Sequence, residues 1–246
     1  ETTGEPKKVD GRFVYTPKTD DEIEATLDGI MYHIFTEGNF THYIAFVKGS
    51  NTTDARLIIN PEYKQQRSKE IPEKWEFTKQ YAIKRWNAIE VNKIEVDDAV
   101  KITYINTPNS HIVAIDKDLL KLRGEHFNWR KNEWSKVSEF EEEEYLSRSL
   151  ICGDTVDNLK GLVGKGDKYC DKHHIHRLSD AFNAYLDEYG LGKGVDEFYK
   201  SFKCLYILTE SEHFKEIPTP ILIEKNYDNE SEIKRSRSYT GKLHNP

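Results

Sequence analysis

The tightest constraint in this 246-residue chain is one short run, Gly153-Asp154-Thr-Val-Asp157-Asn-Leu-Lys-Gly161-Leu-Val-Gly164-Lys165-Gly166. Glycine takes positive φ at no steric cost, so such a run marks sharp turns or close backbone approach. The spacing from Gly161 to Gly166 permits a tight hairpin whose amides can face a phosphate. Asp154 and Asp157, three apart, share one face of a helical turn. A Walker A loop is excluded, because no Gly-Lys-Ser/Thr ending follows. An ordinary helix–turn–helix hairpin is the competing reading.

Two further acidic segments lie upstream. Glu95-Val-Asp97-Asp98 puts three carboxylates at the mouth of an apolar helix. Together they repel unless a cation intervenes. Magnesium and manganese take hard oxygen ligands of this kind. The alternative is a helix N-terminus, where acids suit the macrodipole. Ile112-Val-Ala-Ile-Asp116-Lys117-Asp118 reads as an apolar strand ending in two acids. Open α/β sheets bind ligands at that carboxyl edge; the alternative is an aspartate N-cap.

Composition sets the class. At 37% hydrophobic and 12% aromatic, the chain can bury a core and is not globally disordered. No run approaches the roughly 18–20 apolar residues of a membrane helix. The opening Glu1-Thr-Thr-Gly-Glu-Pro6 lacks an apolar h-region, so no signal peptide is expected. Cys152, Cys170 and Cys204 are too sparse for a disulfide framework, and a cytoplasmic setting is expected. The net charge of -7, taken alone, argues against a nucleic-acid partner. The charge is unevenly spread, however: bases cluster in residues 64–74, 117–130 and 160–177, and bound divalent metal would cancel acids locally.

Periodicity predicts helices over residues 20–35 (capped by Thr19 or Asp20), 73–88, 96–104, 139–150 and 179–189, with strands over 42–47 and 111–115. The first twenty residues and the tail after Tyr227 read as loose. Alternating strands and helices predict an α/β core to about residue 150, then a smaller helical part.

On these residues the chain resembles the phage and bacterial 5′→3′ exonucleases of the flap-endonuclease family. The likeness runs from about Ala45 to Ala184. It rests on Phe46-Val-Lys-Gly, Arg56, Pro61-Glu-Tyr63-Lys64-Gln-Gln-Arg67, Glu95-Val-Asp-Asp98, Asp116-Lys-Asp-Leu-Leu-Lys-Leu-Arg-Gly and the glycine run. The resemblance implies an α/β, PIN-like fold: a mostly parallel sheet flanked by helices, with a C-terminal helix–three-turn–helix subdomain. Residues 1–150 would be catalytic, with an arch around 60–90, and 151–246 would hold the DNA-binding subdomain and tail. Glu95, Asp97, Asp98, Asp116 and Asp118 would hold the first metal, and Asp154 and Asp157 the second. Two Mg2+ ions are implied, with Mn2+ as a substitute. Tyr63, Lys64 and Arg67 would begin the arch and bind DNA, Lys64 and Arg67 also meeting the scissile phosphate. Gly161, Gly164, Lys165, Gly166 and Lys168 would grip duplex phosphates, with K+ at the hairpin. The implied partner is DNA with a 5′ end or flap, an RNA primer included, cut by a monomer in a bacterial or phage-infected cytoplasm.

Two departures stand out. The family has an aspartate ending its first strand. The candidate here is Asp10, in a segment too weakly apolar for that strand, so the residue is expected outside this chain or in degenerate form. Another family aspartate is replaced by Val47 or Lys48.

Phosphodiester hydrolysis needs activated water and charge neutralisation, which two metals roughly 3.5–4 Å apart supply. No Ser or His nucleophile is then required. Two rival readings are a non-catalytic DNA-binding relative and a PIN-type ribonuclease. Cys170 with His173, His174 and His176 matches no common zinc spacing. Trp75, Tyr81 and Trp86 lie at core-like helical spacing rather than as a stacking row.

Overall fold

The computed structural model describes residues 2–9, 12–67 and 70–223. The elements run β1 (Thr2–Val9), β2 (Arg12–Pro17), α1 (Asp20–Gly38), β3 (His42–Tyr43), β4 (Phe46–Lys48), α2 (Asp54–Ile59), α3 (Trp75–Trp86), β5 (Ile89–Val91), α4 (Val96–Asn106) and β6 (Ile112–Val113). A 3-10 turn (Leu119–Lys121) follows, then β7 (Gly124–Asn128), β8 (Glu133–Val137), α5 (Glu139–Cys152), α6 (Asp167–His173), α7 (Leu178–Tyr189), α8 (Leu191–Leu205) and β9 (Ile221–Leu222). The fold is mixed α/β. Among the described residues, no helix is long and apolar enough to cross a membrane.

The chain divides into two compact units. One combines Glu1–Val47, Glu70–Glu90 and Pro218–Pro246; the other combines Lys48–Lys69 and Val91–Ile217. In the first, Thr19 and Glu22 close a capping box that starts α1. Helices α1 and α3 pack through Tyr32, Phe35 and Trp86, with Ile223 beside them. Asp28 accepts from the Tyr81 hydroxyl and the Trp86 indole, each at 2.9 Å. Trp86 is therefore a core residue and Tyr81 packs half-buried against it, as helical spacing suggests, whereas Trp75 is exposed. Residues 2–9 and 12–17, expected to be loose, pair as the antiparallel strands β1 and β2. Asp10 and the tail after Tyr227 lie outside the described residues.

The second unit is organised on α5. Its Leu150 and Ile151, fully buried, meet Leu162, Cys170, Ala181, Tyr185 and Phe198 from the segments that follow. A Ser138–Glu141 capping box starts α5, and the Tyr185 hydroxyl closes on the Leu150 carbonyl at 2.9 Å. A smaller cluster of Ile112, Ala114, Leu119 and Leu122 underlies the segment between β6 and β7. A third, Tyr63, Leu159 and Cys204, ties the end of α2 to the turn after α5 and the end of α8.

Among the described residues, the strand ladders are short. The sheets are small: β1–β2, β3–β9 and β4–β5 are two-stranded, and β6–β7–β8 is three-stranded. Strand β6 pairs parallel with β7, and β7 pairs antiparallel with β8. The apolar run at 112–115 leaves the ladder early. Ala114 makes one last bond to Phe127, and Asp116 then turns the chain by accepting from the Asp118 amide at 2.8 Å. The strand expected over 42–47 is likewise two short strands.

Candidate active site

Each acidic segment is fixed by local backbone chemistry. Glu95 caps α4 and Asp97 and Asp98 fill its first turn, where acids meet the helix's positive end. Asp116 and Asp118 leave the end of β6 in the tight turn just described. Asp154 and Asp157 lie in the turn after α5. There the Asp154 carboxylate accepts from the amides of Val156 at 2.7 Å and Asp157 at 3.2 Å.

That turn closes because two glycines cross. Gly161 has φ +58°, and a Cβ on it would stand 2.4 Å from the Ile151 carbonyl and 2.5 Å from the Gly153 nitrogen. Only glycine tolerates both demands. Asp154 and Leu159 are paired across the turn by two 2.8 Å backbone bonds.

The three segments face one cleft of about 150 Å³, lined by Glu95, Asp97, Asp116, Asp118, Asp154 and Asp157 together with Tyr63, Lys64 and Arg67. The sequence separates these acids by up to 62 positions, from Glu95 to Asp157; the fold brings them together. Burial, reinforced by the charges of Asp116 and Glu95, pushes the Asp97 carboxyl up to about 7. Burial also raises Asp118, although the Tyr145 hydroxyl donates to it at 2.9 Å. At Asp154 burial works upward, but Lys117 and the two amides outweigh it and hold the carboxyl below its usual range.

Side-chain cations answer much of this charge. Lys64 pairs with Glu95 and lies 3.6 Å from Asp157, which Arg67 also pairs. Lys117 stands 3.2 Å from Asp154. The Tyr63 hydroxyl lies 2.9 Å from Asp157 and 3.1 Å from Glu95. As the side chains stand, no three carboxylate, His or Cys groups among the described residues close around one ion. The donor set nonetheless fits a hard divalent cation. It is all carboxylate oxygen, and Asp97 is crowded by like charge that a cation would relieve.

Other residues singled out by sequence fall elsewhere. Asp98 is fully buried away from the cleft, whereas Tyr63, though 2% exposed, lines it. Lys165 pairs with Glu188 at 2.7 Å, whereas Lys168 is exposed, and a Cβ at Gly164 or Gly166 would meet open space. Cys170 is buried, His173 stacks on Tyr169, and His176 pairs with Glu144 at 2.6 Å. Sequence reasoning gave no role to Arg56, Lys117 or Tyr145. Arg56 carried a signal: it is the one charge in the otherwise apolar stretch Ala55 to Ile59.

No protein-family model matches the chain, and no curated protein sequence does. Among solved structures, the fold is similar to that of the T5 D15 protein co-crystallised with metal ions. The TM-score is 0.56 and the identity 15%, over 74% of this chain and 80% of that one.

Proposed function

We propose that the cleft hydrolyses DNA phosphodiester bonds, making the protein a divalent-metal-dependent 5′→3′ exonuclease and 5′-flap endonuclease of PIN-like fold. The observation that carries this reading is the meeting of carboxylates from three separate segments, 95–97, 116–118 and 154–157, beside Lys64 and Arg67. The fold likeness to a protein crystallised with metal ions supports it.

Glu95, Asp97, Asp116 and Asp118 would hold a first divalent ion, and Asp154 and Asp157 a second. Bound there, magnesium or manganese supplies the Lewis acid that lowers the pKa of water and neutralises the leaving oxygen. Lys64 and Arg67 exchange partners: they release Glu95 and Asp157 and take the scissile phosphate and its neighbour. Arg67, with its side chain 48% exposed, has the freedom for this. The hairpin of Gly161, Gly164, Lys165, Gly166 and Lys168 grips duplex phosphates, with K+ as a partner. Phosphate contacts carry no base information, so selection rests on the 5′ end or flap. Binding weakens steeply with salt. The catalytic part is 1–150 and the DNA-gripping part 151–246, working as a monomer in a bacterial or phage-infected cytoplasm.

The test is cleavage of a 5′-labelled flap duplex with magnesium, manganese or EDTA, beside Asp116→Ala and Asp154→Ala. Metal-dependent short 5′ products, lost in both variants, are expected. Tight flap binding without cleavage under either metal overturns the enzyme. It would favour a structure-specific DNA-binding protein whose acids are neutralised by Lys64, Arg67 and Lys117. Preference for a matched RNA flap would point instead to a ribonuclease.

A further inference from the structure

The acidic motif at the start of α4 invites a count of Asp98 among the metal ligands. We infer that Asp98 holds no metal and that, with Arg56, it forms a buried strut setting the position of Glu95. The inference deepens the proposed nuclease reading, and rests on it for what the strut serves.

The two Asp98 oxygens are already occupied. One accepts from Arg56 Nη2 and from the Leu208 amide, each at 2.9 Å. The other accepts from Arg56 Nη1 at 2.9 Å and the Glu95 amide at 3.1 Å. An ionised carboxylate has about four lone-pair sites, so four donors leave none for a cation. The side chain has no exposed surface, and its neighbour is a guanidinium, which would repel a divalent ion.

Arg56 is satisfied to the same degree. Nε donates to the Cys204 carbonyl and Nη2 to the Tyr206 carbonyl, both at 3.1 Å. Nη1 also stands 3.0 Å from Glu95. With the fork on Asp98, these contacts engage all five guanidinium N–H groups. Burial works against the charge, but the hydrogen bond to Asp98 and the charges of Asp98 and Glu95 raise Arg56 above its ordinary range. The strut therefore joins α2, the first turn of α4 and the chain beyond α8. It holds Glu95 from both ends, by its backbone amide and by its carboxylate. Glu95, unlike Asp98, faces the cleft.

Full-length wild type, Asp98→Asn, Asp97→Asn and Arg56→Lys are compared by Mn2+ titration and by thermal unfolding without metal. Asp98→Asn is expected to keep Mn2+ affinity within about threefold while Tm falls by about 10 °C, as for one broken member of a buried pair. Asp97→Asn is expected to lose at least about tenfold in Mn2+ affinity with no fall in Tm. Arg56→Lys keeps the charge but not the fork. It should lower Tm, retain Mn2+ affinity within about threefold, and lower kcat on flap DNA with KM unchanged. Asp98→Asn losing Mn2+ affinity as Asp97→Asn does, with Tm unchanged, would overturn the inference. If Asp98→Asn does not fold, Arg56→Lys decides: wild-type Tm and kcat there also overturn it. A wild type that binds no Mn2+ defeats the nuclease reading instead, and an unchanged Tm in Asp98→Asn would then reject the strut on its own.

Discussion

The Tyr145 hydroxyl, on α5, donates to the Asp118 carboxylate at 2.9 Å, tying the helix that precedes the glycine hairpin to the acids that follow β6. Burial raises Asp118 and this hydrogen bond opposes it. Tyr145→Phe removes the opposing contact, so Asp118 holds its proton to higher pH. The acid limb of Mn2+ binding, followed across pH, should move upward. A limb that stays in place would mean that Tyr145 does not tune this acid.

Asp97 makes the metal-free protein's stability fall as pH rises. Its folded carboxyl titrates at about 7, against an ordinary value of 3.8. Between these values the folded state binds the proton more tightly than the unfolded state. The stability from the protonated form is complete below about pH 4 and is lost as pH rises through about 7. Asp97→Asn should flatten that slope and stabilise the metal-free protein at pH 8 by on the order of 1–4 kcal/mol. Chemical denaturation at pH 4, 6 and 8 in EDTA measures this. An identical slope in the variant would rule it out.

Under the proposed function, Lys64 and Arg67 act on metal and on substrate in opposite directions. Removing Lys64 frees Glu95, and removing Arg67 frees Asp157. Lys64→Met and Arg67→Ala should each bind Mn2+ a few-fold more tightly. Each should cut the flap about a hundredfold more slowly, since a charge on the reacting phosphate is lost. Calorimetry and single-turnover cleavage give the two signs. Loss of Mn2+ affinity in both variants would contradict the partner exchange.

The two hairpin glycines differ in what they tolerate. Gly161→Ala meets both a left-handed φ and backbone at 2.4 Å, whereas Gly164, at φ +75°, has open space around it. Gly164→Ala should cost about 1–2 kcal/mol from φ alone. Gly161→Ala should cost clearly more and disturb Asp154 with it. Equal losses in thermal unfolding would mean that the crossing relaxes easily.

The chain announced its helices where apolar spacing and a cap agreed. Thr19 starts α1 and Ser138 starts α5, each with a glutamate three residues on. Helix α8 was illegible because Gly192 and Gly194 read as breakers, and α2 because six residues show too little periodicity. The strand before Asp116 was legible, but its partners were not. Pairing of Ile112 with His126 depends on register that no local pattern states. Within the site, the acids could be named from their spacing. Their separation into cleft-facing Asp97 and sealed Asp98 could not, since adjacent residues part company only when Arg56 and Leu208 arrive from 42 and 110 positions away.

Lys64, Arg67 and Lys117 also answer the charge of Glu95, Asp157 and Asp154 without any ion. A centre whose charge is partly met by its own side chains, and partly by a protonated Asp97, can be assembled during synthesis, before any ion arrives. Under the proposed function, the ion is then a late and exchangeable recruit rather than a founding part of the fold. A chelator would silence such a protein without dismantling it, and restored magnesium would revive it without a refolding step.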